Sequence, residues 1–108
     1  MIVKNIHEAK EWFEVLQTTD QSQTAVMLLA PGKETGSAPE AHAHSDQSML
    51  VVTGSIRGQV GDEELDLHAG DVIIVPSGTK HRFWNESNQP AFTFNVYSPP
   101  EYPADTKG

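Results

Sequence analysis

Gly70-Asp71-Val72-Ile73-Ile74-Val75-Pro76-Ser77-Gly78-Thr79-Lys80-His81-Arg82-Phe83-Trp84-Asn85 reads as two short strands and the turn between them. The run Val72 to Val75 is apolar, β-branched and too short for a helix, so it predicts a short buried strand. Gly70-Asp71 turns the chain into it, and Pro76-Ser77-Gly78 turns it sharply out. His81 to Asn85 then reads as the next strand. The same rhythm continues on both sides. Upstream, Glu64-Leu65-Asp66-Leu67-His68 alternates strictly, as a half-exposed strand does, and follows a turn at Gly61-Asp62-Glu63. Ser48 to Thr53 is a strand ended by Gly54, and Ser55 to Val60 keeps β character. Trp12 to Leu16 is rich in aromatic and β-branched residues. Thr24 to Ala30 is apolar on both alternating faces, which predicts cover on both sides, a second subunit being one such cover. Downstream, Ala91 to Tyr97 puts Phe92, Phe94 and Val96 on one face and Asn95 and Tyr97 on the other. These short strands, separated by Gly, Pro and Asp turns, predict an all-β sandwich or barrel.

The chain has 108 residues, about the commonest domain size. One domain over residues 1–108 is expected, with an N-terminal arm at 1–11 and a C-terminal tail at 99–108. Glu8-Ala9-Lys10-Glu11 can begin a helix, but one too short to be stable alone. Pro99, Pro100 and Pro103 exclude helix and central strand from the tail, so it reads as extended or frayed. No apolar run reaches eighteen residues, so no membrane span is expected. The first residues lack a secretory apolar core, and a cytoplasmic protein is the expectation. The absence of cysteine removes disulfides, thiolate metal sites and thiol nucleophiles together. A formal charge of −8 argues against nucleic acid as partner, because phosphate binding needs cationic side chains.

Chemistry concentrates in His42-Ala43-His44-Ser45-Asp46-Gln47. Two imidazoles two residues apart share a face if the segment is extended. Gln47 and the later His81 then arrive from neighbouring strands. Imidazole nitrogen and amide oxygen together suit a divalent first-row transition metal: Ni, Zn, Mn, Fe or Co. Alternation from Gln47 points Met49 and Val51 inward, and alternation from His81 does the same for Phe83. An apolar wall around a few polar groups is the usual small-molecule pocket. Arg82 and Trp84 should point away. Asp46 reads as a solvated carboxylate or as a partner of a histidine. Glu40 and Lys33 precede the motif and can edge a pocket mouth. His7 and His68 lie outside it.

These residues resemble the two motifs of single-domain cupins. The second motif runs Gly, five residues, Pro, one, Gly, two, His, three, Asn; Gly70, Pro76, Gly78, His81 and Asn85 fit every position. For the first motif, Gly36, His42, His44 and Gly54 fit, and Gln47 stands where the family has a glutamate. The gap between His44 and Gln47 is shorter than the family's, so one or both of His42 and His44 reach a metal. His42 has the offset found in variants with an Asp-Gln pair, matched here by Asp46-Gln47. Those variants resemble sugar-phosphate isomerases and end in Tyr-Ser-Pro-Pro-Glu, as Tyr97 to Glu101 do here. The resemblance implies a jelly-roll barrel, the double-stranded β-helix, with metal ligands His42, His44, Gln47 and His81 and a homodimer. It further implies a metal-dependent isomerase, lyase or dioxygenase acting on a small polar or anionic metabolite. The alternatives are a non-catalytic module that binds a small ligand, and a dimeric scaffold with structural or absent metal.

Overall fold

A computed structural model describes residues 1–108. Eight strands follow a single turn of 3-10 helix at Ile6–Glu8: β1 (Phe13–Thr18), β2 (Gln23–Leu29), β3 (Asp46–Thr53), β4 (Ser55–Val60), β5 (Glu63–His68), β6 (Val72–Val75), β7 (His81–Trp84) and β8 (Ala91–Ser98). One sheet has the order β1-β2-β8-β3-β6, the other β5-β4-β7, and every pairing is antiparallel. This is the all-β architecture that the strand rhythm predicts, in the jelly-roll form that the resemblance implies. A cluster of buried apolar side chains, among them Leu29, Met49, Val51, Ile56, Val75 and Phe83, draws on the inner faces of both sheets. Burying residues of this size stabilises by roughly 1.5–3 kcal/mol each before conformational entropy is counted.

Loops are tied into this frame by named side chains. Asn85 is buried; its amide nitrogen donates to the carbonyls of Leu29 (2.9 Å) and Gln89 (2.7 Å), and its oxygen accepts from Ser87. It therefore holds the 86–90 loop against β2. Residues 32–40 run beside the free edge of β7, with bridges Glu34–Trp84 and Glu40–His81. Gly54 makes the β3–β4 corner at φ +79°, where a Cβ would collide with the Pro90 carbonyl and lie 2.9 Å from Ala91 Cα. Gly70 and Gly78 also have positive φ, yet open space surrounds them. Their turns need the backbone conformation, not the missing Cβ volume that serves at Gly54.

The structure corrects one of these expectations and makes others specific. The run Val72 to Val75 is not a buried strand: β6 is the sheet's edge, only Val75 is buried, and Val72 and Ile74 are 67% and 64% exposed on the outer face. On the outer face of β2, within one chain, Val26 is buried and Leu28 is 42% exposed, which leaves Leu28 for the second subunit that the sequence offers as cover. The N-terminal arm turns once as 3-10 helix at Ile6–Glu8, and no helix begins at Glu8 to Glu11. The tail is tied rather than frayed. Val15 N donates to Thr106 O (3.0 Å), Gly108 N donates to Phe13 O (2.6 Å), and Lys107 bridges Glu14. The tail thus covers the open edge of β1, the usual remedy for an unpaired strand.

Candidate functional site

A cavity of about 210 Å3 opens between the sheets. Its polar wall carries His42, Gln47, His81, Glu40 and the phenols of Tyr97 and Tyr102, and its apolar wall includes Trp12, Phe13, Met27 and Phe83. Each polar group is aimed by something behind it.

His81 opens β7. Its Nδ1 lies 2.9 Å from the Thr79 carbonyl, which can only accept, so Nδ1 carries the proton and Nε2 is bare. Burial pushes its pKa down, the Thr79 bond opposes that, and the nearby His42 ring adds to the fall. His81 is therefore a neutral imidazole.

Gln47 is buried on β3. Its Nε2 donates to Asn95 Oδ1 (3.0 Å), Asn95 Nδ2 donates to Thr93 Oγ1 (3.0 Å), and Thr93 Oγ1 donates to Met27 O (3.3 Å). The chain ends on a backbone carbonyl, so its direction is set, and Gln47 Oε1 turns toward the cavity.

His42 sits before β3, in the bent segment that precedes it. Its Nδ1 is 3.3 Å from Glu101 Oε2, and its Nε2 is 3.1 Å from Gln47 Oε1. Both neighbours are acceptors. A ring protonated on both nitrogens donates to both; with the single proton on Nδ1, the Nε2 and Oε1 lone pairs face each other, and a cation between them would make that contact attractive. The His42 and His81 ring centres are 4.8 Å apart, and Tyr97 stands edge-on to His42 at 5.4 Å. Burial raises the pKa of both Tyr97 and Tyr102, so both hydroxyls stay protonated.

Of the residues expected in the site, His42, Gln47, His81 and Phe83 line the cavity together. His44 does not; it is exposed and outside it. Counting back from inward Gln47 explains this: Ser45 takes the inward place and His44 the outward one, while the bend at Ala43–His44 returns His42 to the interior. Met49 and Val51 point inward but belong to the core beneath the cavity. Tyr97 and Asn95, which share a face of β8, are both buried in the interior. Asp46 is the exposed, solvated carboxylate of the two expected readings and not a partner of a histidine; it also accepts from Ser77 N (2.9 Å) and so pins the turn that leads to His81. Glu40 lines the cavity and Lys33 does not. Arg82 and Trp84 point outward as expected, with the guanidinium 4.7 Å from the indole centre. Sequence reasoning missed Tyr102 and the role of Glu101. Both come from the tail, where neither alternation nor motif spacing assigns a direction.

No group of three or more His, Asp or Glu side chains is placed to hold a metal by itself. Beside His42 and His81 the wall offers the amide oxygen of Gln47.

Residues 25–97 match the family model of the cupin domain. The chain belongs to the cupin family. It is 28% identical over 97 residues to the uncharacterized protein YrkC of Bacillus subtilis, covering 84% of this chain and 51% of that protein. The chain spans about half the length of the curated relatives it matches. Among solved structures, the BH2720 protein of Bacillus halodurans superposes with a TM-score of 0.88 at 27% identity, over 98% of this chain and 86% of that one. A sugar phosphate isomerase of the cupin superfamily from Silicibacter pomeroyi superposes with a TM-score of 0.66 at 23% identity, over 74% of this chain and 52% of that one. That likeness speaks for the fold alone. The cupin match contains His42, Gln47 and His81; Glu101 and Tyr102 lie beyond it.

Proposed function

We propose that this cupin is a metal-dependent enzyme acting on a small, oxygen-bearing molecule, with His42 Nε2, Gln47 Oε1 and His81 Nε2 as the metal's protein ligands. One observation carries the reading: each of these groups is tied at its far end, by Glu101, Asn95 and the Thr79 carbonyl, so that its lone pair is left for the cavity. Ligand imidazoles commonly have their second nitrogen engaged in this way. The 3.1 Å separation of His42 Nε2 and Gln47 Oε1 supports it further, because it brings the two atoms close enough to share one ion when the His42 proton is on Nδ1. Three neutral donors with open positions suit a catalytic rather than a closed structural site, and a divalent ion held there would polarise a carbonyl or hydroxyl oxygen.

The chain's own residues set the rest. Tyr97 and Tyr102 line the same cavity with their protons kept, and the hydroxyl not donating to its neighbour would be free to donate to that oxygen. Glu40 has no side-chain hydrogen bond or ion pair and lines the cavity, so it is the carboxylate free to move a proton. Trp12, Phe13 and Phe83 exclude water from an uncharged ligand body. No Lys or Arg lines the cavity, so a phosphate would find no cationic clamp there.

Titration with Co2+ tests the ligand set. His42→Ala and His81→Ala should lose binding, and His44→Ala should keep the parent affinity. Equal affinity in all four proteins would end the assignment. Turnover is tested by hydrogen–deuterium exchange at carbon in small oxo and hydroxy acids, using Co2+-loaded protein in D2O. Exchange lost in Glu40→Gln supports an enzyme; tight binding of such an acid without exchange supports a non-catalytic binding module instead.

A further inference from the structure

We infer that Glu101, carried on the tail after β8, is a positioning residue of the pocket: its carboxylate holds the proton of His42 on Nδ1 and so presents Nε2 bare to the cavity. The inference rests on the proposed ligand set, and it adds a residue beyond the span that matches the cupin family.

The Glu101 backbone is held independently of its side chain. Gln23 is buried at the start of β2, and its Oε1 accepts from Glu101 N (3.2 Å) and Tyr102 N (3.0 Å). Its Nε2 donates to Tyr102 O (2.8 Å) and to Thr18 Oγ1 (3.0 Å). Further along, Thr106 and Gly108 bond to β1. Between these ties, the Tyr102 ring packs edge-on against Phe13 at 5.0 Å and Tyr97 at 5.2 Å. The Glu101 carboxylate is thus delivered to His42 from a fixed backbone, with little ordering left to do.

The choice it makes is between two tautomers. Without Glu101, the only hydrogen-bond partner at the His42 ring is Gln47 Oε1, an acceptor at Nε2. The ring would then carry its proton on Nε2, and the lone pair would sit on Nδ1, turned from the cavity. Glu101, at 3.3 Å from Nδ1, draws the proton to the other nitrogen. Gln47 then meets the lone pair it needs as a fellow ligand.

Co2+ affinity and the imidazole nitrogen NMR spectrum of the metal-free protein test this together. Glu101→Ala should bind Co2+ about 10–100-fold more weakly, the usual effect of losing a partner behind a ligand histidine. Glu101→Gln keeps an acceptor for Nδ1–H and should recover much of that loss. Gln23→Ala releases the tail while leaving the carboxylate in place, and should weaken Co2+ binding as well. In the spectrum, a slowly exchanging Nδ1–H on His42 should be present in the parent and absent from Glu101→Ala. Since the backbone ties survive Glu101→Ala, the variant should stay folded. Unchanged Co2+ affinity together with an unchanged His42 spectrum in Glu101→Ala would overturn the inference. Parent affinity in Gln23→Ala would overturn the part given to the tail. If the parent itself fails to bind Co2+ but the Nδ1–H signal still depends on Glu101, the metal reading falls and the positioning role stands.

Discussion

At the scale of single residues, the amide at position 47 has the largest chemical consequence. In the proposed centre two neutral imidazoles and a neutral amide would leave a divalent ion's charge uncompensated, whereas a carboxylate would lower its formal charge from +2 to +1. Gln47→Glu should therefore tighten Co2+ binding, by about tenfold or more, and weaken the binding of a small anion such as acetate to the loaded protein. Calorimetric titrations of metal and then anion measure both, and no change in either would remove Gln47 from the metal. The substitution is not free of cost, because a carboxylate cannot donate to Asn95 Oδ1 as Gln47 Nε2 does. Asn95 can turn its amide over only if Thr93 also gives up its bond to the Met27 carbonyl. This network was not legible in the sequence. Gln47 could be placed inward from its position relative to Gly54, but which end of an amide faces a cavity depends on partners from β8, nearly fifty residues away in the chain for Asn95.

At the scale of elements, the strands were legible and the edges were not. Alternation located β5, β7 and β8 because one face of each meets the core. It failed for His42 and His44 because their segment is bent, not extended, and the parity that groups them separates His44 from Gln47. It failed for the outer face of β6 because an apolar side chain does not say whether another sheet, a partner or water lies over it. The N-terminal arm has its own logic. Glu14 on β1 accepts from Lys10 N (2.8 Å) and Glu11 N (3.0 Å), and these bonds, aided by Lys107 and Lys4, hold its carboxyl below the usual glutamate range. A depressed carboxyl contributes stability that is complete above about pH 4.3, the ordinary glutamate value, and is lost as pH falls through the lower folded value. Protection of the Lys10 and Glu11 amides in hydrogen exchange should accordingly fall on acidification below about pH 4.3. In Glu14→Gln that acid-dependent step should vanish, with low protection throughout. A parent profile that stays flat would show that Glu14 does not fasten the arm.

At the scale of the whole molecule, the two sheets are covered unequally. The outer face of β5-β4-β7 is polar, with Arg57 near Glu64 and Glu86 and with Arg82 near Glu34. The outer face of the five-stranded sheet is apolar over β2, β8, β3 and β6, with Glu14 beside Val26 on β1: the register lines up Val26, Phe94, Leu50 and Val72 in one row, and Leu28 stands beside Phe92. Leu28, Leu50, Val72 and Ile74 are all exposed. A contiguous apolar face of this kind is uncommon on a monomer and marks a binding surface. A second copy fits it best, because a two-fold pairing sets apolar rows on apolar rows without needing any complementary charge. The net charge of −8 opposes the pairing only weakly, since the acidic side chains of the polar sheet face away from it. We therefore expect a homodimer, with a sedimentation mass of two chains. Introducing a charge at the centre of the face, as in Leu50→Lys, should yield monomers that keep their fold, because Leu50 points out of the sheet and contributes nothing to the core between the sheets. Co2+ affinity should survive in those monomers, since every proposed ligand and every group that aims it belongs to one chain. If the parent sediments as a monomer, the apolar face needs a different partner; if Leu50→Lys stays dimeric, the contact lies elsewhere on the molecule.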